Sequence, residues 1–478
     1  MQALDVARWQ FAITTVYHFL FVPLTIGLAP LVAIMQTAWH VTGKESWLRL
    51  TRFFGKLLLI NFALGVVTGI VQEFQFGMNW SAYSRFVGDV FGAPLAIEGL
   101  AAFFLESTFL GLWVFGWDRL SKRVHLATIW LLAIGVNLSA FFILAANSFM
   151  QHPVGVIYNP AKHRAELTSI WKLLTNSTAL VTFPHVIAGA WLVAGGFVLA
   201  VSAWHLGRAD REVEVFRPAF RLGVLAVLLA GIGVVVSGHI QGQIMVKQQP
   251  MKMAAAEALC STEKGAGLSL FAVGRIDSTC DEVKQITIPD LLSIMSSNNP
   301  HATVKGVDDL QRAAAAKFGK RNYIPNLPVT YWSFRLMIGL GLITVAVGLA
   351  GLWLSRRQRV PDSRWFRRAA VLTIVAPFFA NSFGWIFTEM GRQPWVVVPN
   401  PTGIDAVRML TRDGVSPLVG TATVLTSLVA FTLVYAALAV IELRLLVRYA
   451  KAGPPPVTDA DLAEPSDQNP DRPMAFAY

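Results

Sequence analysis

Long apolar stretches organise this chain. Nine of them run roughly over residues 11–40, 53–77, 93–117, 125–149, 178–205, 219–241, 329–354, 366–389 and 418–447. Each supplies the about 20 mostly apolar residues that a bilayer-crossing helix needs. The strict period-two alternation of a membrane β-barrel is absent. The pattern predicts an all-α polytopic membrane protein with nine transmembrane helices. Helices one to six fall within 1–241, a long outer loop covers 242–328, helices seven to nine lie within 329–450, and a Pro- and Asp-rich cytoplasmic tail, 451–478, is expected to be disordered. No cleavable signal peptide is expected, because the first stretch lacks a basic n-region and a small-residue cleavage site.

Composition agrees. The chain has 478 residues, 54% hydrophobic and 14% charged, with a mean hydropathy of +0.52. A soluble domain carries about 25% charged residues, so ordinary soluble enzyme classes are excluded. The net charge of +11 follows from topology, since Lys and Arg collect in cytoplasmic loops. No basic run is interleaved with aromatics, so nucleic acid is not expected as a partner.

The same charges orient the chain. Lys44, Arg49 and Arg52 lie in the first connection, Arg119, Lys122 and Arg123 in the third, and Arg208, Arg211 and Arg217 in the fifth. Arg356, Arg357, Arg359, Arg364, Arg367 and Arg368 crowd the seventh, and Arg444, Arg448 and Lys451 follow the last span. The second loop has only Arg85. Odd connections are therefore expected in the cytoplasm, the N-terminus outside and the C-terminus inside.

The polar stretch 242–328 holds both cysteines, Cys260 and Cys280. An extracytoplasmic loop permits a disulfide, and closing a loop of this size contributes about 3 kcal/mol. The spacing excludes a CxxC metal site.

Ionisable groups inside spans are costly and are functional candidates. His18 lies in span one, Glu98 and Glu106 in span three, His185 in span five and His239 at the end of span six, while Arg335 and Met337 open span seven and Glu389 closes span eight. A lone His is a packing residue or a ligand, and a lone Met is usually core. However, His18, Glu98, His185, Met337 and Glu389 fall at one depth near the outer end of five spans. That coincidence predicts a cofactor layer. His and Met are the usual axial ligands of haem iron, and a His/Met pair suits a low-spin electron-transfer haem. Glu98 and Glu106 are eight residues apart, about 12 Å along the axis and not quite on one face. With Asn137, Ser139 and Asn147 on span four they suggest a proton relay.

Several motifs, in order, resemble subunit I of the cytochrome bd quinol oxidases. Gly384-Trp385 through Glu389-Met390-Gly391-Arg392-Gln393-Pro394-Trp395 is similar to that family's GWxxxExGRQPW signature. Trp332-Ser333-Phe334-Arg335-Leu336-Met337 and Gln249-Pro250-Met251-Lys252-Met253-Ala254-Ala255-Ala256-Glu257 also match, the second resembling the quinol-loop motif. Arg8-Trp9-Gln10-Phe11 with His18, Glu73-Phe74-Gln75-Phe76-Gly77, Ile97-Glu98-Gly99 and Phe104-Leu105-Glu106-Ser107-Thr108 complete the set, which spans roughly residues 1–450.

The resemblance implies a terminal oxidase that oxidises quinol outside and reduces dioxygen to water with cytoplasmic protons, building a proton motive force without pumping. It implies two haem b groups, one low-spin and one high-spin, and one haem d. His185 and Met337 would be the low-spin pair, with Arg335 beside the propionates. His18 and Glu389 would serve the high-spin haems in an order left open, and Glu98 would be a further ligand or a proton group. Lys252 and Glu257 would contact quinol. Glu106, Ser107, Ser139 and Asn147 would form the proton path, Trp385 would lie between haems, and Arg392 joins the catalytic set. A homologous multi-span subunit II, a single-span small subunit in some members, and membrane lipid are the implied partners in the bacterial cytoplasmic membrane. The cyanide-insensitive branch, with haem b in place of haem d, stays open as an alternative. So do a haem-binding scaffold without the Lys252/Glu257 site and, from another class, a proton-coupled transporter. The transporter would need inverted repeats with broken helices near the midplane, and no repeat is evident.

Overall fold

A computed structural model of the chain describes residues 2–208, 212–274, 280 and 283–456. Among these, nine helices are long and apolar enough to cross a membrane. They are α1 Ala3–Thr42, α2 Glu45–Met78, α3 Ser81–Phe115, α4 Lys122–Gln151, α5 Ser177–Leu206, α6 Val213–Gln248, α7 Leu327–Leu354, α8 Arg364–Met390 and α9 Thr421–Ala452. Most reach beyond the apolar stretches, because helices continue past the hydrocarbon until a cap or breaker stops them. Gly43, at φ 66°, ends α1. Asn176, Asn326 and Ser363 accept backbone N–H groups at the starts of α5, α7 and α8.

α1 is the hub. It packs against α2, α4, α5, α8 and α9, and 78% of its most apolar window is buried, against 17% for α3 and 11% for α9. The outward faces of α3 and α9 are thus the most open of the bundle. Small residues bring backbones together, as membrane helices require: a Cβ on Gly27 would collide with the Ala190 carbonyl oxygen.

Connections alternate between the two ends of the bundle. One end gathers the start of α1, the α2–α3 turn, the hairpin Val156–Asn159 with Arg164–Leu167, and the α8–α9 segment around one apolar cluster. At the other end Arg49 pairs with Glu212 at 2.8 Å and donates to the carbonyls of Pro454 and Pro455. The expectation of disorder from 451 onward fails for 451–455: α9 runs to Ala452, and Arg49 holds the segment after it. The rest of that tail, 457–478, and Arg211 lie outside the described residues.

The stretch between α6 and α7 has its own elements. Helices Pro250–Glu257, Leu291–Ser297 and Val307–Phe318 accompany a hairpin of Leu268–Val273 with Lys284–Ile288. Cys260 and Cys280 form the expected disulfide, with Cα atoms 5.4 Å apart. Strands were not expected in an all-α chain. Among the described residues they form four two-stranded pairs, all in the connections.

Candidate functional site

Two histidines are held alike. The Thr68 hydroxyl donates to the Gly65 carbonyl at 2.9 Å, so it accepts from His18, whose Nδ1 lies 2.9 Å away. The Ser237 hydroxyl donates to the Gly233 carbonyl and lies 3.0 Å from Nδ1 of His185. In each ring Nδ1 therefore carries the proton and Nε2 keeps its lone pair. Metal-bound histidines are oriented in this way by a partner on the second nitrogen. A glycine flanks each ring: a Cβ on Gly69 would stand 3.2 Å from Cε1 of His18, and one on Gly238 3.3 Å from Cε1 of His185.

Met337 lies against Gly384, where a Cβ would meet its sulfur at 3.0 Å. The next residue, Trp385, has its ring 4.9 Å from that of Phe19, the neighbour of His18. Trp385 thus bridges the Met337 side of the bundle and the His18 side.

Glu389 accepts from Asn147 Nδ2 at 3.1 Å and pairs with Arg392. From Asn147 the bonding continues away from α8. Gln151 donates to Asn147 at 2.8 Å, and Lys252 Nζ donates to Gln151 at 3.2 Å. Lys252 is itself buried, its stem so close to Gly391 that a Cβ there would meet its Cγ at 2.8 Å. Burial first, and then the Arg392 charge nearby, push the Lys252 ammonium down to about 7, against the pull of Glu389. The structure therefore places Asn147 with Glu389 and Lys252, and not beside Glu106 as the proton-path expectation had it.

At the other end of the same short helix, Glu257 is 2% exposed and bonds Arg335 at 2.6 Å and the Ser269 N–H at 3.1 Å. Burial pushes its carboxyl up, while Arg335 holds it back. Sequence reasoning had assigned these two residues to different partners.

Glu98 and Glu106 share a face after all. Residues Glu98–Phe103 of α3 form a π-helical turn. Eight α-helical residues would leave the two carboxyls about 80° apart, and the wider turn closes that gap. Ser139 of α4 donates to Glu98 at 2.7 Å. One turn away, a Cβ on Gly135 would stand 3.0 Å from Cγ of Glu106. Glu106 is buried, and its Oε1 has no hydrogen-bond partner. Ser107 is exposed and bonds only the Phe104 carbonyl, so it does not join them. Glu73 of α2 lies close enough to Glu98 for their charges to interact.

These side chains fit haem. Besides the two oriented imidazoles and the flanking glycines, Nε and Nη1 of Arg392 and Nε of Arg335 are buried without an acceptor. Buried guanidinium donors of this kind suit carboxylates such as haem propionates. Among the described residues no cluster of three or more His, Cys, Asp or Glu could hold a bare metal ion.

The family profile described as cytochrome bd terminal oxidase subunit I matches residues 6–454. The chain belongs to that family. It is 46% identical over 454 residues to cytochrome bd ubiquinol oxidase subunit 1 of Bacillus subtilis, covering 95% of this chain and 94% of that one. Against cytochrome bd-II ubiquinol oxidase subunit 1 of Escherichia coli identity is 37% over 507 residues, covering 94% and 97%. The solved bd oxidase of Geobacillus thermodenitrificans superposes with a TM-score of 0.83 at 27% identity, covering 95% of this chain and 99% of that one. A cytochrome bd subunit of this kind is a transmembrane oxidoreductase of electron transport.

Three residues of the site carry no motif: Thr68, Ser237 and Gln151, while Glu73 stands in a matching motif without an assigned role. Thr68 and Ser237 carried a faint signal, as hydroxyls inside apolar spans. Gln151, at the end of α4, carried none.

Proposed function

We propose that this chain is the haem-carrying subunit of a bacterial membrane oxidase that takes electrons from quinol and reduces dioxygen to water. The observation that carries the reading is the pair of imidazoles, His18 and His185, each with Nδ1–H committed to a hydroxyl and Nε2 left open. His185 and Met337 would hold a low-spin haem b. His18 and Glu389 would serve a high-spin haem b and a haem d, with Glu98 beside them. Arg335 and Arg392 would meet propionates. Bound haem would supply one-electron transfer where both axial positions are filled, and dioxygen chemistry where one face is open.

The remaining steps are assigned to side chains. Lys252 donates to an oxygen of the quinol head, and Glu257, whose proton affinity is raised by burial, accepts a quinol proton outside. Trp385 fills the space between the Met337 and His18 sides. Glu98, Ser139 and Glu106 would carry cytoplasmic protons inward, giving charge separation without a pump, with the N-terminus outside. The open faces of α3 and α9 suit a homologous multi-span subunit II, and a single-span small subunit could complete the complex.

The test is a reduced-minus-oxidised spectrum of the purified complex with pyridine haemochrome analysis. A chlorin band in the red beside b-type bands is expected. Only b-type bands would assign the branch without haem d. A folded complex with no haem would overturn the reading.

A further inference from the structure

The turn joining α7 to α8 carries six arginines between 356 and 368, and one acid, Asp362. Arg367 pairs with Asp362 at 3.4 Å. Among the described residues, Arg356, Arg357, Arg359, Arg364 and Arg368 have no carboxylate partner and are exposed. Two tryptophans stand among them, Trp353 near the end of α7 and Trp365 at the start of α8, each 66% exposed. The Arg356 guanidinium carbon lies 3.4 Å from the centre of the Trp353 ring. Those of Arg364 and Arg368 lie 5.8 and 5.3 Å from the Trp365 ring.

Topology accounts for the number of these charges. It does not account for three guanidiniums laid on two indoles that no other described residue covers. Exposed tryptophan at the end of an apolar span sits at headgroup level. A guanidinium on its face is held in place and keeps its N–H edge free for a planar or tetrahedral oxyanion. The surroundings offer that anion in one form: a lipid phosphate whose acyl chains continue down the apolar surface of α7 and α8. Leu349, Leu352, Val371 and Leu372 are exposed there. We propose that the α7–α8 turn is a binding site for an anionic phospholipid, with the phosphodiester held by Arg356, Arg364 and Arg368 and the headgroup walled by Trp353 and Trp365.

The test uses the purified, haem-loaded complex and native mass spectrometry, titrating phosphatidylglycerol and phosphatidylcholine of the same chain length. One more bound phosphatidylglycerol than phosphatidylcholine is expected at saturation. R356Q/R368Q should weaken that binding about thirty-fold, from roughly one factor of five per arginine near an anionic headgroup. W353A/W365A should weaken it as well, with haem spectrum and Tm in phosphatidylcholine unchanged. R356K/R368K keeps the charge and loses the planar stack, so it should fall between wild type and the glutamine variant. Three results would overturn the proposal. They are equal binding of the two lipids, undiminished binding by the glutamine variant, and full displacement of the lipid by millimolar inorganic phosphate, which would assign the arginines to a soluble anion.

Discussion

Asn147 and Glu389, on α4 and α8, share a hydrogen bond of 3.1 Å that ends a relay beginning at Lys252 on the loop between α6 and α7. Amide side chains conduct protons poorly, so the relay is better suited to fixing geometry than to carrying charge. It makes the position of Glu389 depend on the seating of the helix Pro250–Glu257.

Breaking the middle of that relay separates its ends. Gln151→Leu leaves Lys252 and Asn147 each short of a buried partner, at about 1–3 kcal/mol. The expected outcome is a KM for quinol raised about tenfold, together with a shifted band for the haem assigned to Glu389. Steady-state kinetics with an absorption spectrum reads both. Normal kinetics and spectrum would show that the relay is ornamental.

Thr68→Val and Ser237→Ala each remove the acceptor that fixes an imidazole. Loss of such a partner typically costs 10–100-fold in ligand affinity, an order-of-magnitude figure. Each variant should lose about one haem per complex during purification, Thr68→Val from the high-spin set and Ser237→Ala from the low-spin haem. Haem-to-protein ratios measure this. Full retention in both would count against the ligand assignments.

Glu257 separates a structural role from a chemical one. Glu257→Ala takes from half-buried Arg335 its carboxylate partner, so Tm should fall. Glu257→Gln keeps an acceptor for Arg335 and removes the proton-accepting carboxylate. Its kcat should drop at least tenfold while all haem bands and the Tm persist. If Glu257→Gln retains full turnover, another group takes the quinol proton.

Lys252 gives a pH signature. Its folded value near 7 lies below that of an exposed lysine, so the folded protein releases this proton as pH rises through about 7, while the unfolded chain keeps it to about 10.4. This group therefore lowers stability below pH 7, and its penalty fades as pH rises toward the unfolded value. For binding the sign reverses: above pH 7 the charged donor is lost and KM for quinol should rise. Lys252→Arg stays protonated and should flatten that rise. A KM profile identical in the two proteins would remove Lys252 from quinol contact.

The disulfide should matter locally. Cys260→Ser/Cys280→Ser releases a 20-residue closure, worth about 3 kcal/mol by loop entropy. Limited proteolysis should then cut the loop between α6 and α7 well before the bundle, and haem content should hold. Unchanged cleavage would mean the loop is secured by its own packing.

The order of spans, the alternation of their connections and the disulfide between α6 and α7 were legible along the chain. Those features depend on run length, charge and cysteine count, which are local properties of sequence. His18, His185, Met337, Glu389 and Lys252 stand out along the chain as candidates, through motifs that keep chemistry at fixed spacing. What folding decided was which side chain meets which. The π turn at Glu98–Phe103 rotates Glu106 onto the face of Glu98, an angular change that α-helical counting cannot anticipate. Asn147 joins Lys252 to Glu389, and Arg335 joins Glu257, because the helix Pro250–Glu257 folds back over the ends of α4, α7 and α8. Thr68 and Ser237 acquire their roles only once α2 lies on α1 and α6 on α5. Side chains 50 or more residues apart are matched by packing of the bundle, and one-dimensional pattern carries no record of that match.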